Sequence, residues 1–323
     1  IGENGKKKNL TLMAGTNSAA FSKTFNFFLH TNTVSGQAHI YTMKNNVGGS
    51  MYVLEDNKEL KETLSSYGVE GVEFFSFETS EKVKLNGWMI KPPDFDESKK
   101  YPVLMYVYGG PGSQTVRNSW GGSNFMWFNM LAQNGYIIVS VDNRGTGARG
   151  QDFRNCTYKN LGHLETIDQI EAAKYLTTQP YVDAGRMGIW GWSYGGYMTA
   201  LCLSKSNGLF KAGISVAPVT NWRYYDTIYT ERYLRTPQEN PDGYDKNSPI
   251  NFAKDLEGSL FLVHGTADDN VHYQNTLEYV DALVANNKDF DMFIYPNKNH
   301  SIYGGYTRFH LYNKMTNFIL EKL

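Results

Sequence analysis

The sequence has few cysteines, no long apolar run and almost no net charge. Its 323 residues include only two cysteines, Cys156 and Cys202, which excludes a disulfide framework. No run of 18 or more apolar residues occurs, so no transmembrane helix lies within these residues. The 31 basic and 32 acidic residues give a formal net charge of −1, which favours neither nucleic acid nor an anionic membrane as the partner. With 41% hydrophobic residues, the chain is globular and long enough for one large core or two domains.

The first 56 residues have the pattern of short strands joined by turns. The segments LTLMAG, TFNFFLHTN, QAHIYTMKNN and MYVLED begin at residues 10, 24, 37 and 51 and predict an antiparallel sheet. About four strands is the size of one blade of a β-propeller. We therefore predict a β-strand segment over residues 1–56 and a second domain over residues 57–323.

From residue 70 onward, strand-like and helix-like segments alternate. Short apolar runs rich in β-branched residues predict strands at 101–108, 135–142, 186–192, 212–217, 259–265 and 291–296. Apolar residues at helical spacing predict helices at 165–178, 196–206, 273–286 and 309–323. The alternation predicts an α/β fold with a mostly parallel central sheet, helices on both faces, and functional groups at the carboxyl ends of the strands.

The segment GIWGWSYGGYM, residues 188–198, contains the pattern Gly-x-Ser-x-Gly around Ser193. The pattern stands where a predicted strand ends and a predicted helix begins, which is the setting of the nucleophile elbow in α/β hydrolases. The elbow holds its serine in an unfavourable backbone conformation, and flanking glycines avoid collisions with the adjoining strand and helix. We predict that Ser193 is a nucleophile; the alternative is a glycine-rich turn whose serine only caps the helix.

The residues after Ser193 supply a candidate acid and a candidate base. Hydrolases of this architecture place the acid and then the histidine after the serine in the chain. The strand at 259–265 leads into Asp268 and Asp269, and the strand at 291–296 leads into a loop that contains His300. Of the seven histidines, His300 alone has both the position and the order of the base, since His264 ends a strand but precedes the acid. We predict His300 as the base and prefer Asp268 as the acid.

Two segments offer donors to an oxyanion. The backbone N–H of Tyr194 follows the nucleophile directly, which is the usual first donor. The segment VYGGPGS, residues 107–113, follows a predicted strand and offers either a loop N–H or the Tyr108 hydroxyl as the second. Without Ser193, the same segment would be interpreted as a glycine-proline turn beside a packed tyrosine.

Four motifs together resemble the dipeptide-releasing serine peptidases of the prolyl oligopeptidase family: GWSYGGY, VAPVTNWRYYDTIYTERY, HGTADDNVH and VYGGPGSQ. The resemblance covers roughly residues 60–323. It implies an α/β-hydrolase fold with Ser193, Asp268 and His300 as the catalytic triad, and the Tyr108 hydroxyl and Tyr194 N–H as the oxyanion hole. It implies further substrate-binding residues: Asn270, as a donor to a substrate carbonyl, and Val219, Trp222, Tyr225, Tyr229, Val271 and Tyr194, as the pocket before the scissile bond.

The aromatic residues of that pocket also have a physical rationale. In a helix, Trp222, Tyr225 and Tyr229 would fall at i, i+3 and i+7 along one face. Such a stripe is more often core, but a buried tyrosine needs a partner for its hydroxyl, which suits the wall of a substrate pocket. A flat slot of rings accepts a pyrrolidine ring or a methyl group. We expect a graded preference for proline and then alanine.

The resemblance also implies parts that are not found in these residues. In relatives, a helix within a preceding β-propeller supplies carboxylates that bind the substrate's free amino group. Residues 1–56 resemble only the last blade, so we expect the rest of the propeller to belong to a longer protein. The resemblance further implies a periplasmic, cell-surface or secreted location and a possible homodimer through the last helix. That helix has an apolar stripe of Phe309, Tyr312, Met315, Ile319 and Leu323.

The predicted function is that of a serine exopeptidase that releases dipeptides after a penultimate proline or alanine through an acyl-enzyme. It takes a peptide substrate and needs no metal or other cofactor. Alternatives with the same fold are a prolyl tripeptidyl peptidase and an acylaminoacyl hydrolase or esterase. A non-enzymatic alternative is an inactive hydrolase fold that serves as an adhesion module, against which the complete set of Ser193, Asp268 and His300 argues.

Overall fold

The computed structural model describes residue 5 and residues 7–323. These residues form two compact units. One contains the described residues up to Glu73 together with Arg117–Gln133, and the other contains Phe74–Val116 and Asn134–Leu323. The assignment of domains to residues 1–56 and 57–323 stays a prediction, and residues 1–4 and 6 of its first segment lie outside the described part.

The smaller unit is built on a four-stranded antiparallel sheet. Its strands follow one another in chain order and are β1 (Thr16–Phe21), β2 (Phe27–Val34), β3 (Gln37–Asn45) and β4 (Ser50–Glu55). Two helices belong to the same unit, α1 (Lys58–Ser66) and α2 (Gly122–Gln133). All six residues of β4 are exposed, although four of them are apolar.

The predicted strand at residues 10–15 is wrong, because the first strand is β1. Gly15 precedes it with a φ of 92°, a left-handed conformation that ends any extended segment before it. A Cβ atom at Gly15 would lie 2.2 Å from the carbonyl oxygen of Thr33, so the chain passes β2 too closely for a side chain. Strand pairing begins only after this turn.

The larger unit is built on an eight-stranded sheet with the order β12-β11-β10-β9-β7-β8-β6-β5. Neighbouring strands from β12 to β8 are parallel, and β6 runs antiparallel to β8. The strands are β5 (Glu73–Glu78), β6 (Lys84–Ile90), β7 (Tyr101–Tyr106), β8 (Ile137–Asp142), β9 (Val182–Trp192), β10 (Ala212–Val216), β11 (Ser259–Gly265) and β12 (Asp291–Tyr295). Strands β5 and β6 were not among those predicted.

Helices alternate with the strands of this sheet. They are α3 (Gln151–Asn155), α4 (His163–Thr177), α5 (Tyr194–Lys205), α6 (Thr227–Leu234), α7 (Pro241–Asp245), α8 (Gln274–Ala285) and α9 (Thr307–Lys322). Two 3₁₀ segments, Trp222–Tyr224 and Pro249–Asp255, complete the unit. Helices α4 and α5 pack against β9, and α5 and α9 pack against β10.

The core lies along the central strands, which are buried on both faces as parallel strands usually are. All residues of β8 and β10 are buried, as are six of the seven residues of β11. The predicted α/β-hydrolase fold with a mostly parallel sheet is confirmed. Its parallel order brings the carboxyl ends of β7, β9, β10, β11 and β12 to one edge, where the predicted functional residues follow.

Two predictions about helices are corrected. Trp222, Tyr225 and Tyr229 do not share one helix, because Tyr225 is extended and Asp226 starts α6 by accepting the N–H of Tyr229 at 2.8 Å. In α9, the apolar stripe is shifted from the predicted one. Phe309 is 69% exposed, and the buried residues of the helix are Leu311, Met315, Phe318 and Ile319.

Within the described residues, no helix is both long and apolar enough to cross a membrane.

Candidate active site

Ser193 lies on a sharp turn between β9 and α5. Its backbone has φ 60° and ψ −119°, which is an unfavourable conformation for a residue with a side chain. The turn is fixed by the rest of the sheet, since the N–H of Ser193 donates to the carbonyl of Val216 at 2.8 Å. The next N–H groups belong to the first turn of α5, where backbone donors lack an intrahelical acceptor.

The glycines around Ser193 are required by close backbone contacts. A Cβ atom on Gly191 would lie 2.4 Å from the carbonyl oxygens of Gly195 and Val107. One on Gly195 would lie 2.1 Å from the Val107 oxygen. Because backbone atoms on β9, α5 and the end of β7 would all have to move, the turn tolerates no larger residue at either position.

Asp268 and His300 are paired in the structure. His300 Nδ1 lies 2.7 Å from Asp268 Oδ2, and the carboxylate is almost completely buried. Asp269, the alternative acid, is exposed. Burial acts to raise the pKa of Asp268, but hydrogen bonds from His264 and His300 outweigh it and hold this pKa well below its usual range. Asp268 is therefore ionised at neutral pH, and its charge is directed at the His300 ring.

Trp192 links the Ser193 turn to the loop that carries His300. Its indole Nε1 donates to the backbone carbonyl of His300 at 2.9 Å. The ring of Trp192 is also covered by the guanidinium of Arg308, whose Cζ lies 4.7 Å from the ring centroid. The residue directly before the candidate nucleophile therefore holds the loop of the candidate base. The role of Trp192 does not follow from the sequence, because nothing in the sequence shows where an indole nitrogen points.

The side chains of the two residues that supply the candidate oxyanion donors lie close together. The rings of Tyr108 and Tyr194 have centroids 6.1 Å apart. A Cβ atom on Gly110 would lie within 3.0 Å of atoms in both rings, so this glycine lets the loop after β7 reach Tyr194. Burial raises the pKa of the Tyr108 hydroxyl, with a smaller contribution from Tyr233. Tyr108 therefore keeps its proton at neutral pH and remains a hydrogen-bond donor.

The aromatic residues of the predicted pocket pack on one another although they come from different elements. Trp222 and Tyr229 are nearly parallel at 6.2 Å, and Tyr225 meets each of them edge to face at 6.1 and 5.3 Å. The ring of Tyr194, the residue after the candidate nucleophile, lies 5.7 Å from that of Trp222 and so belongs to the same group of rings. Burial raises the pKa of Tyr225 to about 12, so its hydroxyl also stays protonated.

The remaining predicted residues lie around this group. Val271 is fully buried and its N–H donates to Asp268 Oδ1 at 2.9 Å. Asn270 is exposed, and its Oδ1 accepts the hydroxyl of Tyr225 at 2.8 Å. The amide oxygen of Asn270 is therefore already engaged as an acceptor. Val219 is buried on the segment that leads from β10 to Trp222.

No cluster of three or more histidine, cysteine or acidic side chains with the geometry of a metal site occurs in the part of the chain described by the structure.

Comparisons with known proteins agree with this architecture. The sequence model of the prolyl oligopeptidase family matches residues 123–323. A protein of Paracoccidioides brasiliensis named "Probable dipeptidyl-aminopeptidase B" is 45% identical over 272 residues, which are 83% of this chain and 29% of that protein. A protein of the same name from Sclerotinia sclerotiorum is 43% identical over 313 residues, 95% of this chain and 34% of that protein. The chain thus spans about a third of the length of these relatives.

Solved structures show the same likeness. Dipeptidyl peptidase 4 of Porphyromonas gingivalis superposes with a TM-score of 0.96 and 48% identity, over 99% of this chain and 45% of that one. A protein of Bacteroides ovatus described as a putative dipeptidyl aminopeptidase IV gives a TM-score of 0.88 at 32% identity. The resemblance inferred from the four sequence motifs is confirmed. With the strained serine turn, the pairing of a histidine with a buried acid, and a family match over well over half of its residues, the chain belongs to the prolyl oligopeptidase family of serine peptidases.

Proposed function

We propose that the chain is the catalytic part of a serine exopeptidase that releases dipeptides after a penultimate proline or alanine. One observation carries the proposal. His300, partly exposed and paired with the buried Asp268, is held next to the strained turn of Ser193 by the bond from Trp192. A base, its orienting acid and a turn suited to a nucleophile therefore meet at one edge of the sheet.

In the proposed reaction, Ser193 Oγ attacks the carbonyl carbon of the scissile peptide bond while His300 accepts the hydroxyl proton. Asp268, ionised and buried, holds the imidazole and stabilises the imidazolium. The carbonyl oxygen becomes an oxyanion that accepts hydrogen bonds from the Tyr194 N–H and the Tyr108 hydroxyl. His300 then gives its proton to the leaving amine. Water, activated by His300 in the same way, hydrolyses the acyl-enzyme and restores the Ser193 hydroxyl.

The proposed specificity follows from the packing of Trp222, Tyr225 and Tyr229. Their mutual contacts leave rigid ring faces and edges, which fit a compact pyrrolidine ring or a methyl group better than a branched or long side chain. Asn270 is proposed to donate its amide N–H to a second substrate carbonyl, because its oxygen is already occupied by Tyr225. A misfit of one methylene group costs about 1–3 kcal/mol, so the preference is expected to be graded.

We propose that the carboxylates that bind the substrate's free amino group, the amino-terminal clamp, belong to a β-propeller of which β1–β4 form the last blade. The relatives are about three times as long as the matched region. In addition, Met51, Tyr52, Val53 and Leu54 on β4 are all more than half exposed, which is typical of a strand that another element covers.

The proposal includes a homodimer through α9, which exposes Phe309 and Leu320. It also includes a periplasmic, cell-surface or secreted location.

The test uses the full-length protein and a series of substrates. Gly-Pro-anilide, Ala-Ala-Pro-anilide and an acetylated alanine anilide separate release of dipeptides, release of tripeptides and acylaminoacyl hydrolysis. We expect turnover of the first substrate and its complete loss in Ser193→Ala with folding intact. Preferred cleavage of either other substrate would replace the proposed specificity. Unchanged turnover in Ser193→Ala would overturn the proposed mechanism.

A fluorophosphonate provides an independent readout of the triad. Its phosphorus forms a bond to Ser193 Oγ, fluoride leaves, and the hydroxyl proton passes to His300. We expect the chain of residues 1–323 alone to be labelled but to cleave Gly-Pro-anilide poorly, because the proposed clamp is not part of it. Cleavage by this chain at the rate of the full-length protein would contradict the clamp.

A further inference from the structure

His264 is a fully buried histidine that the proposed mechanism does not use. It is the penultimate residue of β11 and lies four residues before Asp268. Its ring makes hydrogen-bond contacts with Asp268, Val271 and Thr276. An inference about its role rests on the proposed function, because it concerns the acid of the proposed triad.

The contacts of His264 determine which ring nitrogen carries a proton. Nε2 lies 2.8 Å from the carbonyl oxygen of Val271, which can only accept a hydrogen bond, so Nε2 is the protonated nitrogen. Nδ1 lies 2.7 Å from Thr276 Oγ1 and can accept the threonine hydroxyl. A neutral ring with its proton on Nε2 therefore satisfies every contact. The same Nε2–H group lies 3.1 Å from Asp268 Oδ2.

The Asp268 carboxylate accepts four hydrogen bonds. The N–H groups of Asn270 and Val271 donate to Oδ1 at 3.0 and 2.9 Å. His300 Nδ1, at 2.7 Å, and His264 Nε2, at 3.1 Å, both reach Oδ2. The two histidines therefore share one oxygen atom, while the other oxygen accepts the two backbone N–H groups.

We infer that His264 is a positioning residue that orients the Asp268 carboxylate and shares its charge with His300. A carboxylate oxygen that already serves one donor attracts a second, charged donor less strongly than a free oxygen does. His264 thus keeps Oδ2 in the direction of His300 and weakens the attraction between Asp268 and the His300 imidazolium. The consequence for the reaction is that Asp268 stabilises the His300 imidazolium less than an unshared carboxylate would.

Few titratable groups face this ring. Asp268 and His300 are the two members of the pair itself. From the segment before α8, Tyr273 meets His264 edge to face at 5.6 Å. Tyr225 acts on Asp268 electrostatically and stays neutral, because burial raises its pKa to about 12. On the neighbouring strand β12, His264 is paired with Ile294, which has no charge.

A purely structural role for His264 makes a different prediction. In that role, the ring only joins Val271 and Thr276 inside the core, and its replacement lowers stability or the maximal rate without moving any pH dependence. The proposed role alters the proton affinity of His300. The pH profile of Ser193 reactivity therefore separates the two roles.

The experiment measures the second-order rate of fluorophosphonate labelling against pH in the full-length protein. We expect His264→Phe, which has no donor, to move the acid-side midpoint up by about 0.5–1 pH unit. His264→Gln, whose Nε2 can reach the same oxygen, is expected to restore the midpoint toward that of the wild type. An unchanged midpoint in His264→Phe, or a shift to lower pH, would overturn the inference.

A second variant covers the case in which His264→Phe does not fold. Thr276→Val removes the hydroxyl donor to Nδ1 and weakens the donation from Nε2, so we expect a smaller shift in the same direction. Thr276→Ser keeps the hydroxyl and is the matched control. Equal midpoints for Thr276→Val and Thr276→Ser would then count against the inference.

Failure of the proposed function has a separate signature. If the wild type is not labelled, or if Ser193→Ala is labelled as fast as the wild type, the nucleophile is wrong. If labelling requires Ser193 but its pH profile does not respond to position 264 or 276, only the role of His264 is wrong.

Discussion

The hydroxyl of Tyr194 donates to Oε1 of Glu165 at a distance of 2.9 Å, in a part of the core where both residues are buried. The other carboxyl oxygen of Glu165 accepts the N–H of Gly162 at 2.9 Å, at the start of α4. Burial raises the pKa of Glu165 to about 7, although these hydrogen bonds act to lower it. The residue after the candidate nucleophile is thus tied to a carboxyl group that titrates near neutral pH.

This titration predicts a pH-dependent stability. The pKa of Glu165 is raised in the folded state from an ordinary value of 4.5, so the folded protein binds more protons than the unfolded chain between about pH 4.5 and 7. The stabilisation from this group is complete below pH 4.5 and is lost as the pH rises through 7. A shift of this size corresponds to on the order of 3 kcal/mol in the free energy of unfolding.

We therefore expect Glu165→Gln to flatten the decline of stability over this range. Urea denaturation at a series of pH values would show the difference in unfolding free energy between the wild type and the variant changing across the window. Glu62→Gln, at an exposed position of α1, controls for the loss of one negative charge. A difference that stays constant from pH 4.5 to 7.5 would show that Glu165 does not titrate as proposed.

Removal of the indole donor in Trp192→Phe is expected to slow catalysis while leaving the fold intact. The bond from Trp192 Nε1 to the His300 carbonyl contributes on the order of 1 kcal/mol, which corresponds to a several-fold decrease in kcat. The rate of fluorophosphonate labelling should decrease in parallel, because both reactions need His300 in place.

The control for this change is Trp88→Phe. Trp88 Nε1 donates to the carbonyl of Thr115 at 3.1 Å, a bond of the same kind on β6. We expect Trp88→Phe to affect stability but not the labelling rate of the folded protein. Equal decreases in both variants would show that the Trp192 bond has no particular role in placing His300.

The hydroxyl of Tyr108 is proposed to contact the oxyanion only once it has formed. Tyr108→Phe is therefore expected to lower kcat by roughly 10²–10³ with little change in KM. Tyr136→Phe is a suitable control, because it removes a buried tyrosine hydroxyl that donates to the Ile319 carbonyl at 3.3 Å. A loss confined to KM in Tyr108→Phe would instead indicate that the hydroxyl binds the ground state.

Arg144 and the fully buried Asp168 form an ion pair that is expected to matter for stability. Arg144 Nη2 lies 2.6 Å from Asp168 Oδ1, and the Asp168 side chain is 0% exposed. Because Arg144→Met leaves a buried charge without its partner, we expect a loss of about 3–5 kcal/mol in the free energy of unfolding. Addition of Asp168→Asn to this variant should recover part of the lost free energy of unfolding, because it removes the buried charge.

An exposed ion pair provides the comparison. Arg223 Nη2 and Asp245 Oδ2 lie 2.8 Å apart, with both side chains more than a third exposed. Arg223→Met is expected to cost no more than about 1 kcal/mol. Chemical denaturation of both variants checks the contrast, and losses of equal size would show that burial does not govern the Arg144 pair.

The sequence predicts those parts of the site that depend on local order along the chain. The strand, turn and helix around Ser193 lie within a short segment, so the pattern of glycines and apolar residues was sufficient to predict all three. The same reasoning missed β1, because half of its residues, TNSAAF, are polar, five of the six are exposed, and they show no apolar alternation. It also joined Trp222 to Tyr229 in one helix, since periodicity does not reveal that Asp226 starts a new one.

Contacts between distant segments could not be predicted in the same way. The sequence placed His264 and Asp268 close together along the chain, but their hydrogen bond depends on a turn in which the Asp268 N–H donates to the Gly265 carbonyl at 3.3 Å. The orientation of the His264 ring also depends on Thr276 of α8. The directions of these side chains are determined by the packing of whole elements, about which residue spacing carries no information.

The backbone of Ser193 also has an evolutionary consequence. A residue with a side chain at φ 60° and ψ −119° costs on the order of 1–3 kcal/mol, whereas glycine adopts the same angles readily, since they mirror an ordinary extended conformation. Glycine at this position is therefore expected to give a more stable protein that lacks the hydroxyl of the proposed nucleophile. Selection for stability alone would favour glycine here. The strained serine is therefore expected to persist only where selection also maintains catalytic activity.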